Sequence, residues 1–137
     1  MKKSLFIFAL LMNFQTDVLS DENNYLFKQE KILPANEVFV ISTKNENNKI
    51  YVKWKIRENY YLYLDSIRIQ NKKESIRYKI LESSVYETQD EYFGKTKIYK
   101  DYLKIVFNDN YDESDHAIFY QGCAEQGFCY PIQKYIL

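Results

Sequence analysis

The sequence predicts an all-β domain built from two antiparallel sheets packed face to face. In its clearest run, Ile50, Val52, Trp54 and Ile56 alternate with Tyr51, Lys53, Lys55 and Arg57. That period of two marks a strand with one buried face. About eight such short runs follow one another, separated by turn-rich segments, which is the spacing of a β-sandwich. No window carries a convincing helical period. The 14 tyrosines and nine phenylalanines suit such strands, because an aromatic ring buries a large area and a tyrosine leaves its hydroxyl at the wet edge.

In chain order, Asp21 to Lys31 is polar apart from Tyr25-Leu26-Phe27, a short edge strand or an ordered tail. Leu33-Pro34 then breaks any regular element. Glu37 to Lys44 reads as a strand, and Asn45-Glu46-Asn47-Asn48 as the turn of a hairpin leading into the alternating run. After the turn-prone Glu58-Asn59 come Tyr60 to Tyr63 and Ile67-Arg68-Ile69, then a further strand from Ser75 to Leu81. Leu103, Ile105 and Phe107 alternate with Tyr102, Lys104 and Val106. Beyond the polar stretch Asn108 to Asp115, Ala117 to Tyr120 and Ile132 to Ile136 complete the set.

Residues 1 to 20 read as an export signal: Lys2 and Lys3, the apolar run Leu5 to Met12, then a more polar segment ending in Val18-Leu19-Ser20. Cleavage before Asp21 is expected. The apolar run is shorter than the roughly 20 residues a spanning helix needs, and the cleavage point has no cysteine to carry a lipid. Residues 21 to 137 are expected to form one domain with no membrane span. The whole chain carries 19 acidic and 19 basic residues, and losing Lys2, Lys3 and Asp17 leaves the remainder one charge on the acidic side. With Lys72-Lys73 and Lys95-Lys97-Lys100 interleaved with acids, no basic face gathers for a nucleic-acid partner.

The chemistry concentrates in Tyr120-Gln121-Gly122-Cys123-Ala124-Glu125-Gln126-Gly127-Phe128-Cys129-Tyr130-Pro131, which holds the only two cysteines, separated by five residues. Gly122, Gly127 and Pro131 supply the backbone freedom and the stop of a tight turn. A bridge closing so short a loop contributes only about 2 kcal/mol through chain entropy, against roughly 4 to 5 for one spanning a domain. On the residues alone a static structural bridge is slightly the stronger reading and a redox pair the other.

Other candidates carry less. His116, the only histidine, lies in an acidic polar stretch and is expected at the surface. Two cysteines and one histidine fall short of a four-ligand zinc set, and three glycines form no phosphate loop. No metal or cofactor is expected.

The motif Tyr-Gln-Gly-Cys-Ala-x-x-Gly-Phe-Cys-Tyr-Pro resembles the active-site hairpin of the DsbD family, in the N-terminal periplasmic domain of these thiol:disulfide interchange proteins. Leu33 to Phe39, Trp54 to Ile69 and Asp90 to Lys95 resemble the same domain in the same order. The similarity runs from about Leu26 to Leu137.

This resemblance implies an immunoglobulin-like sandwich, a periplasmic location and a redox-active disulfide between Cys123 and Cys129, with Cys129 as the nucleophile and Cys123 as the resolving thiol. It implies a cap formed by Asp90, Glu91, Tyr92, Phe93 and Gly94, whose aromatic ring covers the sulfurs. The family pattern has phenylalanine then tyrosine there, and this chain has Tyr92 then Phe93; position favours Tyr92 as the covering ring. Asp90 and Glu91 close to Cys129 would disfavour its thiolate by like-charge repulsion. Tyr61 and Tyr63 match family tyrosines beside the site; on the residues alone they read as strand residues with rings in the core or at its edge.

The implied activity is a thiol:disulfide oxidoreductase passing electrons to oxidised thioredoxin-like partners, among them disulfide isomerases and proteins of cytochrome c maturation. In the family the electrons arrive from a membrane-embedded domain through a C-terminal thioredoxin-like domain. Neither is in this sequence, so a separate donor is expected, unless the chain is a detached piece or a remnant that no longer cycles. The rival is an exported immunoglobulin-like binding module with a static bridge.

Overall fold

Two adjacent asparagines set the first hairpin. Asn47 and Asn48 take φ of 54° and 57°, the geometry of two-residue turns whose twist matches the strands they join. They connect β1 (Phe39–Glu46) to β2 (Lys49–Ile56). The computed structural model describes residues 31–72, 74–90, 94–108 and 116–137, without the side chain of Asp90. The expected export signal and the Tyr25-Leu26-Phe27 cluster lie outside the described residues.

The other strands are β3 (Tyr60–Tyr63), β4 (Arg68–Asn71), β5 (Glu74–Ile76), β6 (Lys79–Asp90), β7 (Gly94–Asn108), β8 (His116–Tyr120), β9 (Gly122–Ala124) and β10 (Gln133–Ile136). All described pairings are antiparallel, in a six-stranded sheet (β1, β2, β3, β6, β7, β9) and a four-stranded sheet ordered β10-β8-β4-β5. The architecture is the immunoglobulin-like antiparallel sandwich. Among the described residues no helix is long and apolar enough to cross a membrane.

Where the expected elements shift, local chemistry explains it. A single helical turn, Ala35–Val38, follows Pro34 directly and delays the strand expected from Glu37 until Phe39. Proline's fixed φ suits the position before a first turn, and Glu37 N–H donates to the Pro34 carbonyl at 3.0 Å. The strand expected over Ser75 to Leu81 is two: β5 ends at Ile76, and β6 runs on from Lys79 to Asp90. Its partner β7 is likewise much longer than the alternating Tyr102 to Phe107 segment.

β6 lines one side of β7 along its length, while β2 and β3 lie end to end on the other. Both of these tracks kink at the same level. Asp101 sits at φ 63°, and Asp101 and Tyr102 have no opposite number on β6; across the sheet, Asn59 takes φ 67° between β2 and β3. Bulges of this kind bend a strand and re-aim its side chains. Past the kink the outer neighbour changes from β1 to β9, so the cysteine segment takes the edge beside β3.

The core fills the space between the sheets. Trp54, Val52, Leu62, Ile69, Tyr99, Leu103, Ile105 and Ile118 are wholly buried, as the alternation in β2 requires. Around Phe39, the rings of Tyr60, Tyr120 and Tyr130 stand edge-on at 6.2, 6.0 and 5.5 Å, a geometry favoured by the ring quadrupole. The Tyr130 hydroxyl donates to the Leu33 carbonyl at 2.5 Å and ties the N-terminal segment to the hairpin strand.

His116 overturns its expected surface position. It opens β8, is fully buried, and packs on the Phe107 ring with centroids 5.4 Å apart. Its strand pairs with β4 at Asn71, so the imidazole faces the core although its sequence neighbours are acidic. The acidic residues before it lie outside the described residues.

Burial pushes Tyr99, Tyr120 and Tyr130 each up to about 12, Tyr130 with help from neighbouring Tyr60. A raised phenol means that the folded state keeps a proton which the unfolded chain releases near pH 10. Stability is then full below about pH 10 and lost as pH rises toward about 12. Far-UV circular dichroism should show cooperative unfolding in that window, with a late tyrosinate absorbance step at the same pH; tyrosines ionising in one step near pH 10 with the fold intact would contradict it.

Candidate active site

The site forms where the chain crosses twice between the sheets. One crossing is the 3-10 turn Leu64–Ser66 between β3 and β4; the other is Gln121, between β8 and β9. Ser66 and Gln121 lock them together. The Ser66 hydroxyl accepts from Gln121 N–H at 2.9 Å and lies 2.8 Å from the Tyr63 carbonyl, while Tyr63 N–H donates to the Gln121 carbonyl at 3.0 Å. The Gln121 side-chain amide donates to the Tyr130 carbonyl at 3.1 Å. Both arms of the cysteine hairpin are thereby referred to the end of β3.

Within the hairpin, Ala124 N–H donates to the Phe128 carbonyl at 2.7 Å and Tyr130 N–H to the Gly122 carbonyl at 3.0 Å. These two bonds bracket Cys123 and Cys129, which form an isolated antiparallel bridge. They are therefore a non-hydrogen-bonded pair, the kind whose side chains approach most closely. Their Cα atoms are 4.0 Å apart and their sulfurs are joined as a disulfide. Glu125, Gln126 and Gly127 make the loop, closed by Gly127 N–H to the Ala124 carbonyl at 2.9 Å. Gly127 has φ 97°, the left-handed place that ends a three-residue hairpin loop.

The two sulfurs face unequal surroundings. Leu62, Tyr99 and Ala124 belong to the core face of the large sheet, so the alternate residues Tyr63, Ile98 and Cys123 point the other way. There they form a small second cluster with Tyr61 against it, and Cys123 is 0% exposed. Cys129 is exposed, next to Phe128 at 38%. One cysteine is sealed in and its partner is an exposed residue.

Tyr61 pairs with Cys123 in the β3–β9 register. Across the cluster the Tyr63 hydroxyl lies 3.5 Å from Cys123 Sγ, and since a disulfide sulfur has no proton, the O–H is the donor. The Tyr61 and Tyr63 hydroxyls are 3.4 Å apart and their rings meet at 90°. Side chains from β3 and β7 thus meet around a cysteine carried on β9.

Of the expected cap, Gly94 takes φ 69°, and its backbone pairs with that of Asp90 at the end of the β6–β7 hairpin. Glu91, Tyr92, Phe93 and the Asp90 side chain lie outside the described residues. Two contributors escaped the sequence reading. Ser66 lacked any signal in a short polar break, and Lys100 reads as one lysine among several, yet its ammonium pairs with the Glu125 carboxylate at the hairpin tip.

An immunoglobulin-like sandwich with a hairpin disulfide, one cysteine buried and one exposed, defines a class of β domain built around a cysteine pair. The family described as "Thiol:disulfide interchange protein DsbD, N-terminal" matches residues 29–136, and the chain belongs to that family. Over 45 residues it is 44% identical to the thiol:disulfide interchange protein DsbD of Cronobacter sakazakii and 42% identical to that of Escherichia coli K12. Those stretches cover 31% of this chain and 8% of each relative, so the match spans under a tenth of the relatives' length.

Among solved structures, the reduced DsbD N-terminal domain of Neisseria meningitidis is similar in fold, with a TM-score of 0.63 and 24% identity over 75% of this chain and 85% of that one. A chain from the complex between the DsbD N-terminal and PilB N-terminal domains of the same organism aligns with a TM-score of 0.54 and 23% identity, covering 77% and 86%.

Proposed function

We propose that this chain is a periplasmic thiol:disulfide oxidoreductase domain, which takes electrons from a thioredoxin-like donor and passes them to oxidised thioredoxin-like proteins through Cys123 and Cys129. The observation that carries this reading is the asymmetry of the pair: an exposed Cys129 in front of a sealed Cys123. In the reduced protein, the Cys129 thiolate attacks one sulfur of a partner disulfide, forming a mixed disulfide and releasing one partner thiolate. Cys123, as thiolate, then attacks Cys129 Sγ; the internal disulfide forms, the second partner thiolate leaves, and two electrons have moved. Tyr63, with its hydroxyl at Cys123 Sγ, would stabilise negative charge there.

Family membership supports a periplasmic setting, as does the export signal expected over residues 1 to 20, and the complex of a related domain with the PilB N-terminal domain supports a protein partner. Disulfide isomerases and cytochrome c maturation proteins are the proposed recipients. The cap is proposed to shield the sulfurs until a partner docks, with Tyr92 as its ring.

The test is a redox titration in glutathione buffers together with mixing against an oxidised thioredoxin-like protein. The bridge should titrate within the range of redox proteins, roughly −120 to −270 mV, and the reduced form should transfer its electrons. A bridge below about −300 mV that is also inert to such partners would mark a static staple and overturn the proposal.

A further inference from the structure

The outer face of the large sheet carries a contact that the exchange reading leaves unused. Lys100 lies two residues along β7 from Ile98, on the same face as Cys123 and Tyr63. Its ammonium reaches the Glu125 carboxylate, the first residue of the loop between the cysteines, and sits 5.4 Å from the centre of the Tyr86 ring on β6. Glu125 is held a second time, its N–H donating to the Asn59 carbonyl at 2.8 Å. The side chains of Lys100 and Glu125 are 33% and 41% exposed.

We infer that Lys100, braced on Tyr86, is a positioning residue that clasps the hairpin tip through Glu125 and so sets the redox poise of the cysteine pair. This rests on the exchange reading for its purpose, though not for its measurement. While the disulfide is closed the loop is already ordered, so the clasp forms without an ordering cost and contributes its full strength. Once the bond opens, the hairpin hydrogen bonds, the packing of Tyr130 on Phe39 and the clasp are what keep Cys129 opposite Cys123. In the reduced form the clasp must also order the loosened loop, so it stabilises that form less than the oxidised one; without it the effective concentration of Cys123 at Cys129 falls. Removing the clasp should therefore make the disulfide easier to reduce.

The experiment is glutathione titration of the purified protein and of Lys100→Met and Glu125→Gln. Glu125→Gln loses a partly exposed ion pair, and the expected change in the oxidation constant is about threefold, or about 14 mV upward at roughly 30 mV per decade. Lys100→Met also loses the contact with the Tyr86 ring, and about five- to tenfold is expected. Molar salt should shift the unsubstituted protein toward Glu125→Gln and leave that variant nearly still. Thermal melts of each variant, oxidised and reduced, complete the linkage: the substitutions should alter the reduced form differently from the oxidised one.

An unchanged midpoint, or equal stability changes in both forms, would overturn the clasp and leave an ordinary surface ion pair. No partner protein enters the titration. A shifted midpoint beside inert thioredoxin-like partners would uphold the clasp and sink the exchange reading; active partners with unmoved midpoints would do the reverse.

Discussion

With Cys123 replaced by serine, the reduced protein should accumulate as a mixed disulfide with an oxidised thioredoxin-like protein, joined through Cys129. With Cys129 replaced instead, almost none should form. The physical ground is access. Cys129 is exposed on the outgoing arm of the hairpin, whereas Cys123 is fully enclosed by Tyr63, Ile98 and Tyr61. For a partner sulfur to reach Cys123, the hairpin must open and break the bonds Ala124 N–H to Phe128, Gly127 N–H to Ala124 and Tyr130 N–H to Gly122. At about 1 kcal/mol net for each bond, opening costs about 3 kcal/mol and lowers reactivity roughly a hundredfold. Non-reducing electrophoresis after an acid quench reads the difference. Equal trapping by Cys123→Ser and Cys129→Ser would show that burial does not select the attacking sulfur.

Gly122→Ala should be the most destabilising small substitution in the site, lowering stability by about 3 kcal/mol. A Cβ built on Gly122 falls 2.4 Å from Phe39 Cζ and 2.5 Å from the Tyr61 carbonyl oxygen. The first contact belongs to the central ring of the aromatic core and the second to the backbone of β3, so neither neighbour can swing aside. β9 must lift from β3 or Phe39 must leave its place among Tyr60, Tyr120 and Tyr130. For a domain of this size the loss corresponds to a fall of about 10–20 °C in Tm.

Gly127→Ala makes the control. Its Cβ meets nothing within 4 Å, but φ 97° is strained for a side chain, and a smaller loss of about 1–2 kcal/mol is expected. Melts of the oxidised proteins compare them. A Gly122→Ala protein melting within about 3 °C of the unsubstituted one would mean that the close approach of β9 to Phe39 is not tight.

Legibility in the sequence followed the range over which each feature is decided. The buried face of β2, the Asn47-Asn48 turn and the spacing of the cysteine hairpin depend on a few consecutive residues. The length of β6 and β7 was missed because their alternation is interrupted by bulges at Leu81 and at Asp101-Tyr102, which throw the apolar period out of phase midway. His116 misled because composition reports the neighbours along the chain, whereas its ring is surrounded by residues such as Phe107 on another strand.

By itself the sequence determined an antiparallel β sandwich, a cysteine pair on a glycine-bounded turn and a kinship covering residues 29–136. Only the tertiary structure decided which sulfur is sealed, what touches it and what holds the loop. Cys123 lies on the outward face of its strand and is enclosed only because Tyr63 and Ile98 arrive from two other strands, and Glu125 finds Lys100 only because β7 passes beneath the hairpin tip. Period and turn chemistry are properties of adjacent residues. Enclosure and ion pairing belong to residues tens of positions apart, which meet only when the sheet has formed.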